Sequence, residues 1–272
     1  MKNTIHMLKS VTNTQMMSFV ITTEDGKVML IDGGWRQDAA YLLEYLRTLT
    51  GQAVPHVDAI WLTHPHSDHI LAFLELLDNH RDAFTFDRVY YNFPSVQFIR
   101  QEDNDYPTLE AFYAHLPLFA DKINIVSGGD AYDFGAAHVD VLYSPDYEFN
   151  HNVCNNASVV FRVTLGGKRI LFTGDCGVEA GRKILRLVGA DGLKSDFCQM
   201  AHHGQNGCDR AFYEAVAPDV CFWCAPDWLW DNNAGKGFNT HIFKTVEVRG
   251  WMREMGAGTH YVIKDGTQVV EL

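Results

Sequence analysis

Candidate metal ligands and acid–base groups gather in three short clusters. The first, His64-Pro65-His66-Ser67-Asp68-His69, follows the apolar run AIWLT. Alternate histidines on a loop leaving a strand can both face one cavity, and Asp68 and His69 then face its far side. Imidazole and carboxylate donors without thiolate suit zinc, manganese or iron. Four candidate ligands in six residues at a strand end favour a metal site over scattered surface histidines. The second cluster, Thr173-Gly174-Asp175, ends the run RILF. A carboxylate there can bridge two cations, one oxygen to each, while Gly174 permits close backbone approach. Alone this is an ordinary turn; beside the histidines it gains meaning. The third, His202-His203-Gly204, also sits at a strand exit. Adjacent histidines usually point to opposite sides, so we assign His203 to the metal and His202 to substrate or leaving group.

Other motifs read as structure. Cys221 and Cys224 flank Phe222-Trp223 in what looks like a buried strand, and no second C-x-x-C accompanies them, so the thiols are taken as structural. Gly33-Gly34 and Gly166-Gly167 lack phosphate-loop spacing and read as turns. Trp228 and Trp230, in APDWLW, are either an aromatic wall for substrate or buried structural indoles. His241 is a second candidate proton donor or a plain helix N-terminal residue.

The elements that must position these residues follow from the hydropathy pattern. MMSFVITT and KVMLID read as strands joined at Asp25-Gly26, a hairpin signal. DAAYLLEYLRTL carries apolar residues at helical spacing and stops at Gly51. VDAIWLT reads as a strand and ILAFLELLDNH as a helix. FDRVYYNF is a strand, SVQFIRQEDNDY a polar connection (a surface loop, or a lid), and PTLEAFYAHLPLFADK a helix that Pro117 kinks or ends. Strands HVDVLYS, SVVFRVTL and KRILF precede a helix over VEAGRKILRLV. Then come strand SDFCQMA, helix CDRAFYEAV, strand DVCFWCA, a Trp-rich loop, helix HIFKTVEVRGWMREM and a closing hairpin, THYVIKDGTQVVEL. With no linker or composition break, residues 1–272 are expected to form a single domain, two strand-and-helix halves making one sandwich.

Composition sets outer limits. The 272 residues are 47% hydrophobic and 21% charged, which excludes a disordered chain. A net charge of −12 argues against a broad duplex nucleic-acid surface. No run approaches the ~20 apolar residues of a membrane span. The N-terminus lacks the apolar stretch of a signal peptide, so the expected location is cytoplasmic, with no membrane partner. Six cysteines in a chain this long do not suggest a disulfide framework. Oligomeric state is not legible.

Taken in order, Ile31-Asp32-Gly33-Gly34, the H-x-H-x-D-H cluster, TGD and HHG resemble the metallo-β-lactamase superfamily. Asn155-Asn156-Ala157-Ser158-Val159-Val160 before LFTGD, with AHHG after it, is similar to the hydrolase domain of the DNA-uptake competence protein ComEC and its stand-alone relatives. The resemblance runs from about Met16 to the C-terminus. It implies an α/β fold, the αββα four-layer sandwich of two mixed sheets with helices on the outer faces and a metal centre at one edge. It also implies two divalent ions, zinc first, with manganese or iron as alternatives. His64 and His66 would hold one ion, Asp68, His69 and His203 the other, with Asp175 bridging and Asp32 orienting a ligand or a turn. Asn155 stands where many members carry a third histidine on the first ion, which makes it a weak ligand; His151 and Cys154 are nearby substitutes.

The chemistry expected is hydrolysis by a hydroxide shared between two ions. Asp68, Asp175 and His202 are the catalytic set, with His202 supplying the leaving-group proton. The relatives suggest a phosphodiester or phosphate ester: a nucleotide, a short single strand, or a phosphocholine-like molecule held against Trp228, Trp230 or His241. The same arrangement also serves a thioester, lactone or other carboxylic ester or amide. A non-hydrolytic metal or redox module is the remaining alternative.

Overall fold

The computed structural model describes residues 1–145 and 147–272. Its first strand, Thr4–Met7 (β1), was not apparent in the sequence pattern. It pairs antiparallel with Phe19–Thr22 (β2), which turns at Asp25-Gly26 into Val28–Ile31 (β3). Parallel strands follow: His56–Trp61 (β4), Thr85–Tyr91 (β5) and Ile123–Ile125 (β6). The second sheet opens with two antiparallel pairs. Ala131–Phe134 (β7) joins Ala137–Tyr143 (β8), and Val160–Leu165 (β9) joins Lys168–Phe172 (β10) across Gly166-Gly167. Phe197–Gln199 (β11), Val220–Trp223 (β12) and Thr259–Val262 (β13) then add in parallel. The last strand, Gln268–Glu271 (β14), returns to the first sheet beside β1.

Two seven-stranded mixed sheets result, ordered β14-β1-β2-β3-β4-β5-β6 and β13-β12-β11-β10-β9-β8-β7. The expected C-terminal hairpin is therefore corrected. β13 and β14 lie on edges of opposite sheets, and the turn at Asp265-Gly266 carries the chain across the sandwich. Lys-Asp-Gly specifies a reversal. Which strands pair across it is decided by which edge is open.

Strand alternation builds the layers, because successive side chains face opposite sides. Phe19, Ile21, Met29, Ile31 and Trp61 meet Phe161, Val163, Ile170, Phe172 and Phe222 between the sheets. Trp61 there stacks between Tyr90 and Phe161, at 4.6 and 4.7 Å between ring centres. The interleaved residues Val20, Leu30 and Ile60 face outward onto Leu42, Leu46, Phe73 and Phe112. These come from helices Ala39–Thr50, Ser67–Asn79 and Tyr106–His115. Leu171, Cys198, Cys221 and Trp223 likewise face Ala180, Ile184, Phe212, Val248 and Met252 on helices Val178–Leu193, Arg210–Val216 and Thr245–Met255. The four layers are thus helix, sheet, sheet, helix. Among the described residues no helix is long and apolar enough to cross a membrane.

Local signals account for most boundaries. Gly51 ends its helix with φ +69°, and helix Tyr106–His115 stops before a 3-10 turn containing Pro117. The last helix begins at Thr245, later than expected, and the Trp-rich loop contains a turn of helix at Asp227–Trp230. The connection after β5 includes a short helix, Val96–Ile99.

Candidate metal centre

The candidate ligands emerge from the carboxyl ends of β3, β4, β10 and β11, the end at which open parallel sheets form their crevices. β4 runs into His64, and the following turn places Asp68 and His69 in the first turn of helix Ser67–Asn79. The exposed backbone N–H groups of a helix start favour the Asp68 carboxylate there. Gly33 and Gly34 both donate N–H to the His69 carbonyl, at 2.6 and 3.0 Å, which ties the β3 exit to that helix.

Asp175 is set by close packing. Gly174 has φ +54°, and a Cβ on it would lie 2.9 Å from both Ser158 Oγ and Thr63 Cβ, so no larger residue fits without a shift. Ser158 Oγ accepts the Asp175 N–H, and buried Gln199 takes the Thr173 N–H while donating to the Gly174 carbonyl. His202 and His203 both have left-handed backbone, φ +53° and +55°, conformations that cost energy in non-glycine residues and concentrate at functional sites. The His202 N–H donates to the Gly174 carbonyl, so the two loops hold each other.

These loops bring two sets of ligand atoms together, His64 with His66 and Asp175, and Asp68 with His69 and His203, each within 4.8 Å. Asp175 lies against both sets. Its Oδ1 is 3.2 Å from His69 Nε2, and its Oδ2 is 3.4 Å from His203 Nε2 and 3.7 Å from His64 Nε2. Asp68 Oδ2 is 3.1 Å from His203 Nε2.

Each imidazole uses its other nitrogen outward. His69 Nδ1–H donates to Asp32 Oδ2 at 2.7 Å, and Asp32 also accepts the Thr63 N–H and hydroxyl. With the Thr63 hydroxyl so engaged, His64 Nδ1–H donates to its oxygen at 3.2 Å. His203 Nδ1–H donates to the Cys224 carbonyl. His66 is inverted: its Nε2–H donates to Asp103 Oδ2 at 2.8 Å, leaving Nδ1 3.0 Å from His64 Nε2. Two inward lone pairs at that distance repel unless a cation or proton lies between them. His69 Nε2, His203 Nε2 and Asp175 Oδ1 are buried without a hydrogen bond. Buried polar atoms are rarely left so, and the donor set fits divalent cations.

The electrostatics agree. Burial would raise Asp175, but the imidazoles of His203, His69, His202 and His64 outweigh it and hold the acid well below the usual carboxylate range. For His69 burial opposes charge, yet Asp175 and Asp32 push it up to about 9. Burial, reinforced by His69, drives His64 well below an ordinary imidazole. The protons on the raised imidazoles occupy positions a cation would take, so binding is coupled to proton release.

His202 is the more open of the pair. Its side chain is 23% exposed, its Nε2 lies 3.8 Å from Asp175 Oδ2, and its Nδ1 has no hydrogen bond. Burial lowers its pKa. Asn155 is buried, with Oδ1 unpartnered and Nδ2 on Asn152. His151 is turned away to the surface, paired with Glu102, whereas Cys154 lies against His66 and Asp103. Trp230 is not brought into the cluster: it stands edge-on to Trp223 beneath the Arg249 guanidinium. Trp228 donates to the Asn13 carbonyl and neighbours His241, which stacks on Phe243 at 4.1 Å.

Sequence reasoning passed over Asp103 and Asp105. The Asp105 carboxylate accepts both the backbone N–H and the hydroxyl of Ser67, between His66 and Asp68. Its signal was the acidic run Glu102-Asp103-Asn104-Asp105, and a separation of 37 residues hides the partner of Asp103.

The sequence model of the metallo-beta-lactamase superfamily matches residues 11–83, which takes in Asp32 and His64–His69. No curated protein sequence matches. Among solved structures, the chain is similar to CmlA, a diiron beta-hydroxylase from Streptomyces venezuelae, at 13% identity and TM-score 0.60. That match covers 100% of this chain and 54% of CmlA, so the chain spans about half of that protein's length. The metallo-beta-lactamase fold protein YhfI from Bacillus subtilis matches at 12% identity and TM-score 0.57, covering 99% of this chain and 100% of YhfI. Tm1679, a metal-dependent hydrolase of the beta-lactamase superfamily, matches at 11% and 0.53, covering 99% of both chains. At such identities the likeness is one of fold. The fold is the metallo-β-lactamase sandwich, and over residues 11–83 the sequence also matches that superfamily's model.

Proposed function

We propose that residues 1–272 act as one metal-dependent hydrolase domain whose substrate is a phosphodiester or phosphate ester. The observation that carries this is a single carboxylate, Asp175, lying between the imidazoles of His64 and His66 on one side and the buried set of Asp68, His69 and His203 on the other. His64, His66 and Asp175 would hold one divalent ion, and Asp68, His69, His203 and Asp175 the other. Bound there, the ions supply Lewis acidity and bring the pKa of water toward neutrality. The chain's own residues do the rest. Asp32 and Thr63 orient the His64 and His69 rings, and Ser158 and Gln199 fix the turn bearing Asp175. His202, on the open side, would donate a hydrogen bond or a proton to the leaving-group oxygen.

HHG and Asn155 are the features that favour phosphoryl over acyl chemistry. Zinc is the first choice of ion, with manganese or iron also suited to these donors, and a small or short single-stranded ester the expected partner. The test is a parallel screen of zinc- and manganese-loaded protein on bis-p-nitrophenyl phosphate, nucleotides, phosphocholine esters, single-stranded DNA, lactones and thioesters. Phosphodiester turnover abolished by a chelator and by Asp175→Ala is the expected result. Turnover confined to lactones or thioesters would shift the substrate to the acyl class, and redox-active diiron without hydrolysis would overturn the hydrolase reading.

A further inference from the structure

We infer that Asp103 is the positioning residue of the first cation site, acting through His66 from a strap, residues 102–105, that clamps the ligand loop from outside the motifs. The inference rests on the two-ion reading above and goes beyond it.

Four imidazoles converge on the centre, and three turn Nε2 inward because Nδ1–H is engaged by Thr63, Asp32 or the Cys224 carbonyl. Those three partners sit on or beside the strands that carry the ligands. His66 alone turns Nδ1 inward, and the group holding its Nε2–H is a carboxylate from the connection between β5 and the Tyr106–His115 helix. A neutral imidazole has one donor and one acceptor nitrogen, so the partner of one fixes what the other offers. Asp103 therefore decides that the His66 lone pair faces His64 and Asp175.

The strap is built to keep Asp103 in place. Its second oxygen accepts the Asp105 N–H at 2.8 Å, and Asp105 in turn accepts both donors of Ser67, at 2.6 and 2.7 Å. On the other side Glu102 accepts the Val153 N–H at 2.8 Å and pairs with His151 at 2.9 Å. One short segment thus links the His66 turn, from the first half of the chain, to the short helix Val153–Asn156 carrying Cys154 and Asn155, from the second. Without it the first site would retain its ligands and lose the orientation of one.

The test compares wild type, Asp103→Ala and Asp103→Asn by chelator competition for zinc, resolving the two ions, and by imidazole 1H–15N NMR of the zinc-loaded proteins. Asp103→Ala is expected to weaken one of the two ions by about 10- to 100-fold while sparing the other. The His66 Nε2–H signal should lose its protection from solvent exchange. Asp103→Asn keeps an acceptor oxygen and should lose affinity several-fold, between the two. Two ions bound by Asp103→Ala as tightly as by wild type would overturn the positioning role and leave the metal centre standing. No zinc bound by wild type would overturn both. If Asp103→Ala does not fold, the Asn variant decides: unchanged affinity for both ions overturns the inference.

Discussion

Asp32 shows how much a single buried acid can organise. Its oxygens accept the Thr63 N–H, the Thr63 hydroxyl and His69 Nδ1–H, and its own backbone is left-handed at φ +52°. Burial raises its pKa, against the pull of His69 and Thr63. Asp32→Ala leaves a buried N–H and a hydroxyl without their acceptor. We expect a loss of about 1–3 kcal/mol in denaturant unfolding of the metal-free protein. Zinc affinity should also fall by about 10- to 100-fold in chelator competition, because His69 is no longer aimed. The ligand types and their clustering were legible in the sequence. The carboxylate beneath His66 was not, since nothing local marks Asp103 as different from Asp105 or Glu102.

Among the elements, strand exits and tight turns do the positioning, and glycine matters where another backbone approaches. Gly174→Ala places a Cβ 2.9 Å from Ser158 Oγ and Thr63 Cβ in a backbone at φ +54°. Strain and overpacking together should cost about 1–4 kcal/mol by thermal or urea unfolding. Metal binding should suffer even where the fold survives, because the displaced turn carries Asp175. Unchanged zinc binding would show that the turn tolerates what its packing forbids. Long apolar or strongly periodic segments such as Ala39–Thr50, β4 and the part of Ser67–Asn79 from Ile70 onward were readable from their pattern, whereas the first helical turn that carries Asp68 and His69 was not. β1, β6 and β7 were not: they are three or four residues long, and no residue of β6 or β7 is fully buried, so pairing rather than pattern makes them strands. The C-terminal turn misled for a related reason, because each flanking strand found an open edge in a different sheet.

Across the whole molecule, the two sheets each deliver part of one candidate centre, and a buried histidine outside the ligand set couples stability to pH. His6, on β1, is buried between Thr4 and the Tyr45 hydroxyl, bonding to them at 2.7 and 2.8 Å, and so ties the first sheet to its covering helix. Burial lowers its pKa below the ordinary 6.5. Between the folded and unfolded values the unfolded chain binds more protons, so stability rises with pH there. The contribution of His6 is complete above about 6.5 and is lost as pH falls through the lowered value. In urea unfolding of metal-free protein, the stability gap between wild type and His6→Gln should therefore narrow on acidification; a gap that widens would contradict the assignment. The central claim, that one carboxylate joins two cation sites, is tested most directly by anomalous diffraction from zinc-loaded crystals of wild type and Asp175→Ala. Two wild-type peaks ~3.5–4 Å apart are expected, one among His64, His66 and Asp175 and the other among Asp68, His69, His203 and Asp175, with at least one peak lost in the variant. A single peak, peaks outside these residues, or two undiminished peaks in Asp175→Ala would contradict that claim.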